Sequence, residues 1–275
     1  MFLAVAALLA FYGAVAVIAV AITIVVPASW AAGRYGLLVG VLPVMIAALV
    51  VNGVVVARGW SSWRTLGWQG GTRDAASFGL GVGLGVVMAA VALLAAMTLG
   101  TARLELTGEP LGAYLSAAAP VGIGLVMAAL AEELVFRGYP LVRLAKPIGK
   151  VWASMGLALV FAALHLGNPE VSALGLVNIG LASLVLSAAF FTPGGLPAAW
   201  GVHLGWNAGL GLGADAPVSG IAFQLPILEF VTGGPSWVTG GAFGPEGGLA
   251  ATVAMGAALI WLSRRVTGAG KGEPT

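Results

Sequence analysis

Cysteine is absent from the 275 residues, and histidine occurs only twice. The first absence removes thiol nucleophiles, disulfides and thiolate metal sites together, and it leaves the redox compartment unreadable. Charge is almost as scarce: Asp, Glu, Lys and Arg make up 8% of the chain, against about 25% in a soluble domain. With hydrophobic residues at 60%, this is the composition of a polytopic membrane protein. A formal net charge of +2, with no long basic run, argues against a nucleic-acid partner. Aspartate is limited to Asp74 and Asp215, both in loops, so an intramembrane aspartyl dyad has no residues to build it. Neither histidine is followed by Glu, so no H-E-x-x-H zinc site is present. No G-x-S-x-G nucleophile elbow occurs either.

What the chain does have is long apolar runs. Hydropathy predicts eight spans at roughly 2–26, 35–57, 76–100, 116–140, 150–167, 171–191, 196–213 and 247–263, an all-α, polytopic helix bundle forming a single integral membrane domain over 1–275. The first run has no basic n-region and is far longer than a signal-peptide core, so it reads as a retained span. Ten of the twelve Lys and Arg fall on one side: Arg58, Arg64, Arg73, Arg137, Arg143, Lys146, Lys150, Arg264, Arg265 and Lys271. Arg34 and Arg103 fall on the other, with Glu105, Glu109, Glu170, Asp215, Glu229 and Glu246. The positive-inside rule then predicts a multi-pass protein of the cell's inner (plasma) membrane, with both termini and a short polar tail at 266–275 in the cytoplasm. In span 3, Gly79, Gly81, Gly83 and Gly85 form overlapping small-xxx-small pairs within a continuous apolar run. That predicts close helix packing rather than a dinucleotide-binding turn. Loop 214–246 reads as an ordinary interfacial loop, with a cleft entrance lined by its glycines and Trp237 as the alternative.

Ionisable groups inside the spans are costly in lipid and so point to function. Glu132, Glu133 and Arg137 lie in span 4, His165 ends span 5, and His203 and Asn207 share span 7. The turn Lys146-Pro147-Ile148-Gly149-Lys150 separates Glu132 and His165 almost symmetrically. If both arms are continuous helix, each residue lies ~25 Å from the turn, at ~1.5 Å rise per residue. An antiparallel hairpin would bring carboxylate and imidazole to one depth. Glu133 and Arg137 are four apart and can pair on one face, while Glu132 is rotated by about 100° and is free for chemistry. His203 and Asn207 are also four apart, and together they can hold a developing oxyanion; the competing reading is a hydrogen-bonded helix–helix contact. A glutamate beside a histidine can deprotonate water, so the reaction class indicated is hydrolysis of a carbonyl compound, most simply a peptide bond.

These residues resemble the CPBP family of intramembrane proteases, also called the Abi or CAAX-protease-like family, whose best-known members are the type II CAAX prenyl endopeptidases. Three motifs carry the likeness: Glu132-Glu133-x-x-x-Arg137 followed by Gly138, Phe161-x-x-x-His165, and His203-x-x-x-Asn207. It spans roughly 115–215, a CPBP-like catalytic core on spans 4–7. The Gly244-Pro245-Glu246-Gly247-Gly248 stretch looks like a loop of bacterial members. The resemblance implies an intramembrane glutamate-dependent endopeptidase without metal or other cofactor. Glu132 and His165 would activate water, His203 and Asn207 would hold the oxyanion, and Glu133 and Arg137 would support them. The implied partners are the lipid bilayer and a membrane-associated or lipid-anchored protein or peptide, and the myxosortases are one bacterial branch of this kind. Two readings from other classes compete: a non-catalytic bacteriocin-immunity or scaffold protein, and a proton-coupled transporter.

Overall fold

Long apolar segments become long helices because a backbone in lipid must satisfy its own hydrogen bonds. The computed structural model describes residues 1–31 and 35–269. Arg34, Lys271 and the last part of the polar tail lie outside the described residues. In chain order the elements are α1 (Phe2–Val25), α2 (Gly36–Ala57), α3 (Thr72–Leu99), β1 (Arg103–Leu106), α4 (Leu111–Phe136), α5 (Tyr139–Leu164), α6 (Ala173–Phe190), α7 (Gly195–Ala214), β2 (Leu228–Val231), the short α8 (Ser236–Thr239) and α9 (Leu249–Ala269). The protein is an all-α helical membrane bundle. Each expected span has a long helix. Among the described residues, six stretches are long and apolar enough to cross a membrane; one of them, Leu111–Leu164, runs through α4 and α5 together, and α7 is not among them. Glycine, tryptophan, His203 and Asn207 lower the hydropathy of α7, which is instead largely enclosed by other helices. The tail expected from 266 starts as helix, since α9 continues to Ala269.

No strand was expected, yet β1 and β2 pair antiparallel, with Arg103 opposite Val231 and Leu106 opposite Leu228. This ribbon ties the segment after α3 to the segment after α7, so those two helices end at the same end of the bundle. Arg58, Arg64, Arg73, Arg143, Lys146, Lys150, Arg264 and Arg265 sit toward the other end. Arg137 departs from the charge count: only 1% of its side chain is exposed, so it belongs to the interior rather than to a basic surface.

The helix that carries His203 and Asn207 is placed by glycine. A Cβ on Gly81 or Gly85 of α3 would run into the backbone of α7 at Ala198 and Val202, and a Cβ on Gly201 or Gly205 would run into α3 at Phe78 and Val82. Gly79 and Gly83 meet nothing, so only one of the two interleaved small-residue stripes is used. Residue numbers rise together along the contact, hence α3 and α7 are parallel. His203 and Asn207 are offset by two positions from Gly201 and Gly205, about 200° around the helix, so they face away from α3. Gly205→Val should therefore cost about 1–3 kcal/mol or more through backbone overpacking, whereas Gly83→Ala should be neutral or mildly stabilising. Thermal melts of the two purified variants in detergent would check this.

Candidate active site

The site begins where α4 stops. Arg137 caps the helix, Gly138 leaves helical geometry with ψ −126°, and Pro140 lies in the first turn of α5, where its missing N–H costs nothing. Asn52, fully buried on α2, stitches the break. Its amide donates to the carbonyls of Ala48 (2.8 Å) and Leu134 (3.2 Å), and its oxygen accepts from the Tyr139 N–H (3.2 Å). A Cβ at Gly138 would lie 2.7 Å from that oxygen, so the approach requires glycine. The arm between Glu132 and the turn is thus two helical pieces, while the turn itself falls where expected, at Gly149, where φ is 82°. The first arm is therefore not the continuous helix expected, whereas the second runs as helix to Leu164.

Alongside, α4 and α7 run antiparallel. Tyr114 Oη donates to the Leu212 carbonyl (2.7 Å), and Trp200 Nε1 donates to that of Val126 (3.1 Å). This register sets His203 against the acid pair. Glu133 Oε1 accepts from Arg137 Nη1 (3.0 Å) and from His203 Nδ1 (2.9 Å), and its side chain is 0% exposed. Arg137 also donates through Nη2 to Ser183, at 3.0 Å to the carbonyl and 2.7 Å to Oγ, and its guanidinium lies 5.0 Å from the Phe161 ring centroid. A buried charge pair needs such additional partners to offset desolvation. Because Nδ1–H is committed to Glu133, His203 presents Nε2 outward, 3.7 Å from Glu132 Oε2. Glu132 is 35% exposed and faces open space.

That space is a cavity of about 400 Å³, lined by Glu132, His165, His203, Asn207, Ser219 and Glu246 on an otherwise largely aliphatic and aromatic wall. His165 ends α5, and its Nδ1 lies 2.7 Å from the Phe161 carbonyl. A carbonyl can only accept, so Nδ1 carries the proton and Nε2 is the free base nitrogen. The Phe161 ring lies 4.7 Å from that of His165 and 6.5 Å from that of His203, which gives the F-x-x-x-H spacing a physical meaning. The buried Asn207 makes no side-chain hydrogen bond among the described residues and opens onto the cavity. The structure therefore gathers Glu132, His165, His203 and Asn207 on one cavity, with Glu133 and Arg137 behind it. The imidazole within 3.7 Å of Glu132 is that of His203. The α4–α7 register supplies that contact, while His165 lines the same cavity as Glu132.

Three polar residues of the cavity end were not among the expected site residues: Asn168, Ser219 and Glu246, the last named only within the Gly244–Gly248 stretch. Loop 214–246, expected as interfacial, folds back over the cavity through Ser219, Ile221 and Phe223, while Trp237 is exposed. The loop is conformationally demanding, with positive φ at Asp215, Ser219, Gln224 and the β-branched Ile227. Asp215 accepts from the Leu225 N–H at 3.0 Å. Burial pushes its carboxyl up to about 6, against the lowering effect of that hydrogen bond and with a smaller push from Glu229. The native state then holds the Asp215 proton more tightly than the unfolded chain does, so the stability this contributes is lost as pH rises through about 6. Asn tolerates the left-handed backbone. Asp215→Asn should therefore melt above the native protein at pH 7, with the two converging below about pH 4.

Among the described residues, no group of three or more His, Asp or Glu is arranged to hold a metal ion. Residues 114–209, from the first turns of α4 to late α7, match the family described as type II CAAX prenyl endopeptidase Rce1-like. The match covers about a third of the chain, and all six site residues lie inside it. No curated protein matches the chain.

Proposed function

We propose that the protein is a glutamate-dependent intramembrane endopeptidase that hydrolyses a peptide bond of a membrane-associated or lipid-anchored protein, without a metal. The observation that carries this is the free Glu132 carboxylate, 3.7 Å from His203 Nε2 on a largely apolar cavity shared with His165 and Asn207. A water bridging these groups donates one proton to Glu132 and a hydrogen bond to His165 Nε2. The hydroxide adds to the scissile carbonyl carbon. His203, carried as the imidazolium, donates Nε2–H to the oxyanion, while Asn207 donates Nδ2–H. Collapse of the tetrahedral intermediate breaks the C–N bond, and Glu132 returns its proton to the leaving amine. Glu133 and Arg137 touch no reacting atom; through His203 Nδ1–H they fix the plane of its ring, as a carboxylate behind a catalytic imidazole does. The aliphatic wall suits an unfolded stretch of membrane peptide or a lipid chain beside the scissile bond. The basic end of the bundle is assigned to the cytoplasm of the inner membrane.

Comparative terminomics of membranes from cells with the native protein and with Glu132→Ala tests the reading. New C-termini that vanish in the variant, at equal protein abundance, identify the substrate. Identical termini would sink the assignment and favour a scaffold; pH-gradient-driven flux through the native protein would favour a transporter. Activity lost to chelator and restored by zinc would remove the metal-free part alone.

A further inference from the structure

A second buried carboxylate lines the cavity and has no role in the chemistry above. Glu246 is 6% exposed. Its Oε1 accepts from the Trp206 indole Nε1 at 2.6 Å, and its Oε2 accepts from both the backbone N–H and the Oγ of Ser219, the latter at 2.9 Å. Trp206 adjoins Asn207 on the helix that carries His203. The Ser219 carbonyl in turn accepts from Asn168 Nδ2 at 2.9 Å, and the Asn168 N–H donates to the His165 carbonyl at 3.1 Å. One carboxylate thus joins the α7 wall of the cavity to the end of α5.

We propose that Glu246 is a positioning residue that fixes His203 and Asn207 relative to His165. This rests on the proteolytic reading only in what the three residues are positioned for. Its own anchorage is rigid. Asn178, fully buried on α6, donates to the Glu246 carbonyl (2.7 Å) and the Gly248 carbonyl (3.0 Å), and its oxygen accepts from Thr252 (2.7 Å). Gly244, at φ 96°, packs on the Pro217 backbone, where a Cβ would collide. Charge suits the task, since hydrogen bonds to an ionised acceptor are roughly twice as strong as neutral ones. Three donors also offset the cost of burying the carboxylate. The grip holds Ser219 at φ 50°, a conformation that persists only where surrounding contacts over-determine it. A glutamine cannot replace it: one end of its amide would present N–H groups to either Trp206 or Ser219, both of which are donors.

The test uses the full chain in detergent micelles with ring-labelled histidine. Because the protein has two histidines, the spectrum reports on His165 and His203 alone. Glu246→Gln should move both imidazole signals and their titration midpoints in the folded protein. On the substrate found by terminomics, kcat should fall about 10- to 100-fold, the scale expected from small misplacement of reacting groups, with KM nearly unchanged. Adding Trp206→Phe to Glu246→Gln should bring the signals part of the way back, because the amide can then turn its N–H groups toward the introduced phenyl ring and its oxygen toward Ser219. Ser219→Ala should give the same shifts in smaller measure, and it decides the matter if Glu246→Gln does not fold. Unmoved histidine signals in a folded Glu246→Gln or Ser219→Ala protein would overturn the proposal. If the native protein cleaves nothing, the histidine readout still stands or falls separately from the proteolytic reading.

Discussion

Glu132→Gln is expected to stop cleavage and leave the protein folded in the membrane. Glutamine has the shape of glutamate, and Glu132 is 35% exposed to the cavity, so little packing depends on it. Its carboxylate accepts no hydrogen bond among the described residues, and its one charged neighbour, His203 Nε2, stands 3.7 Å away. What the substitution removes is the ability to take a proton from water, and loss of a positioned general base costs about 10²- to 10⁴-fold. The measurement is kcat/KM on a peptide spanning the cleavage site found by terminomics, beside a melt of the same preparation. Activity within about threefold of native in a protein of unchanged Tm would remove Glu132 from the chemistry.

The largest stability effect should come from behind the site. Arg137→Met removes the cation from a fully buried pair and leaves Glu133 charged in the interior, a change that costs about 3–5 kcal/mol. Glu133→Leu strands the guanidinium in the same way and also deprives His203 Nδ1 of its acceptor. The double variant Glu133→Leu/Arg137→Met removes both charges of the pair, so it should melt well above either single variant, although Ser183 still loses its donor and His203 Nδ1 its acceptor. Recovered stability should bring no recovered activity, because nothing then holds the His203 ring. Melts of the three variants check the first half, and cleavage of the same peptide checks the second. A double variant no more stable than Arg137→Met would show that the pair is not the unit described.

Helix positions were legible because each is a long apolar run, and the i,i+4 pairings of Glu133 with Arg137 and of His203 with Asn207 follow from helix pitch alone. The break after Arg137 was legible too: Gly138-Tyr139-Pro140 is a stop and restart signal, and reading it would have ruled out a continuous first arm. Asn52 and Asn178 sit in apolar runs as the histidines do, and the same cost argument would have flagged them. Glu246 was named within the Gly244–Gly248 stretch yet sorted with the outward charges, because a charge count places a residue by the loop that carries it; whether a loop folds inward depends on contacts distant in sequence. The β1–β2 ribbon joins two short segments far apart in the chain, and neither has a pattern of its own.

The glycine seam between α3 and α7 bears on how much chain the chemistry needs. The family match ends at 209 and begins at 114, yet the helix with His203 and Asn207 leans on α3, the broken arm is sewn by Asn52 of α2, and the cavity is closed by residues beyond 214. A chimera that grafts 114–209 into another bundle would carry every reacting group with Glu133, Arg137 and Ser183 behind them, but would lose the seam with α3, the Asn52 stitch and the Glu246 loop. The transferable unit runs from α2 through the Glu246 loop, and relatives with different flanking helices must supply their own backrest for α7.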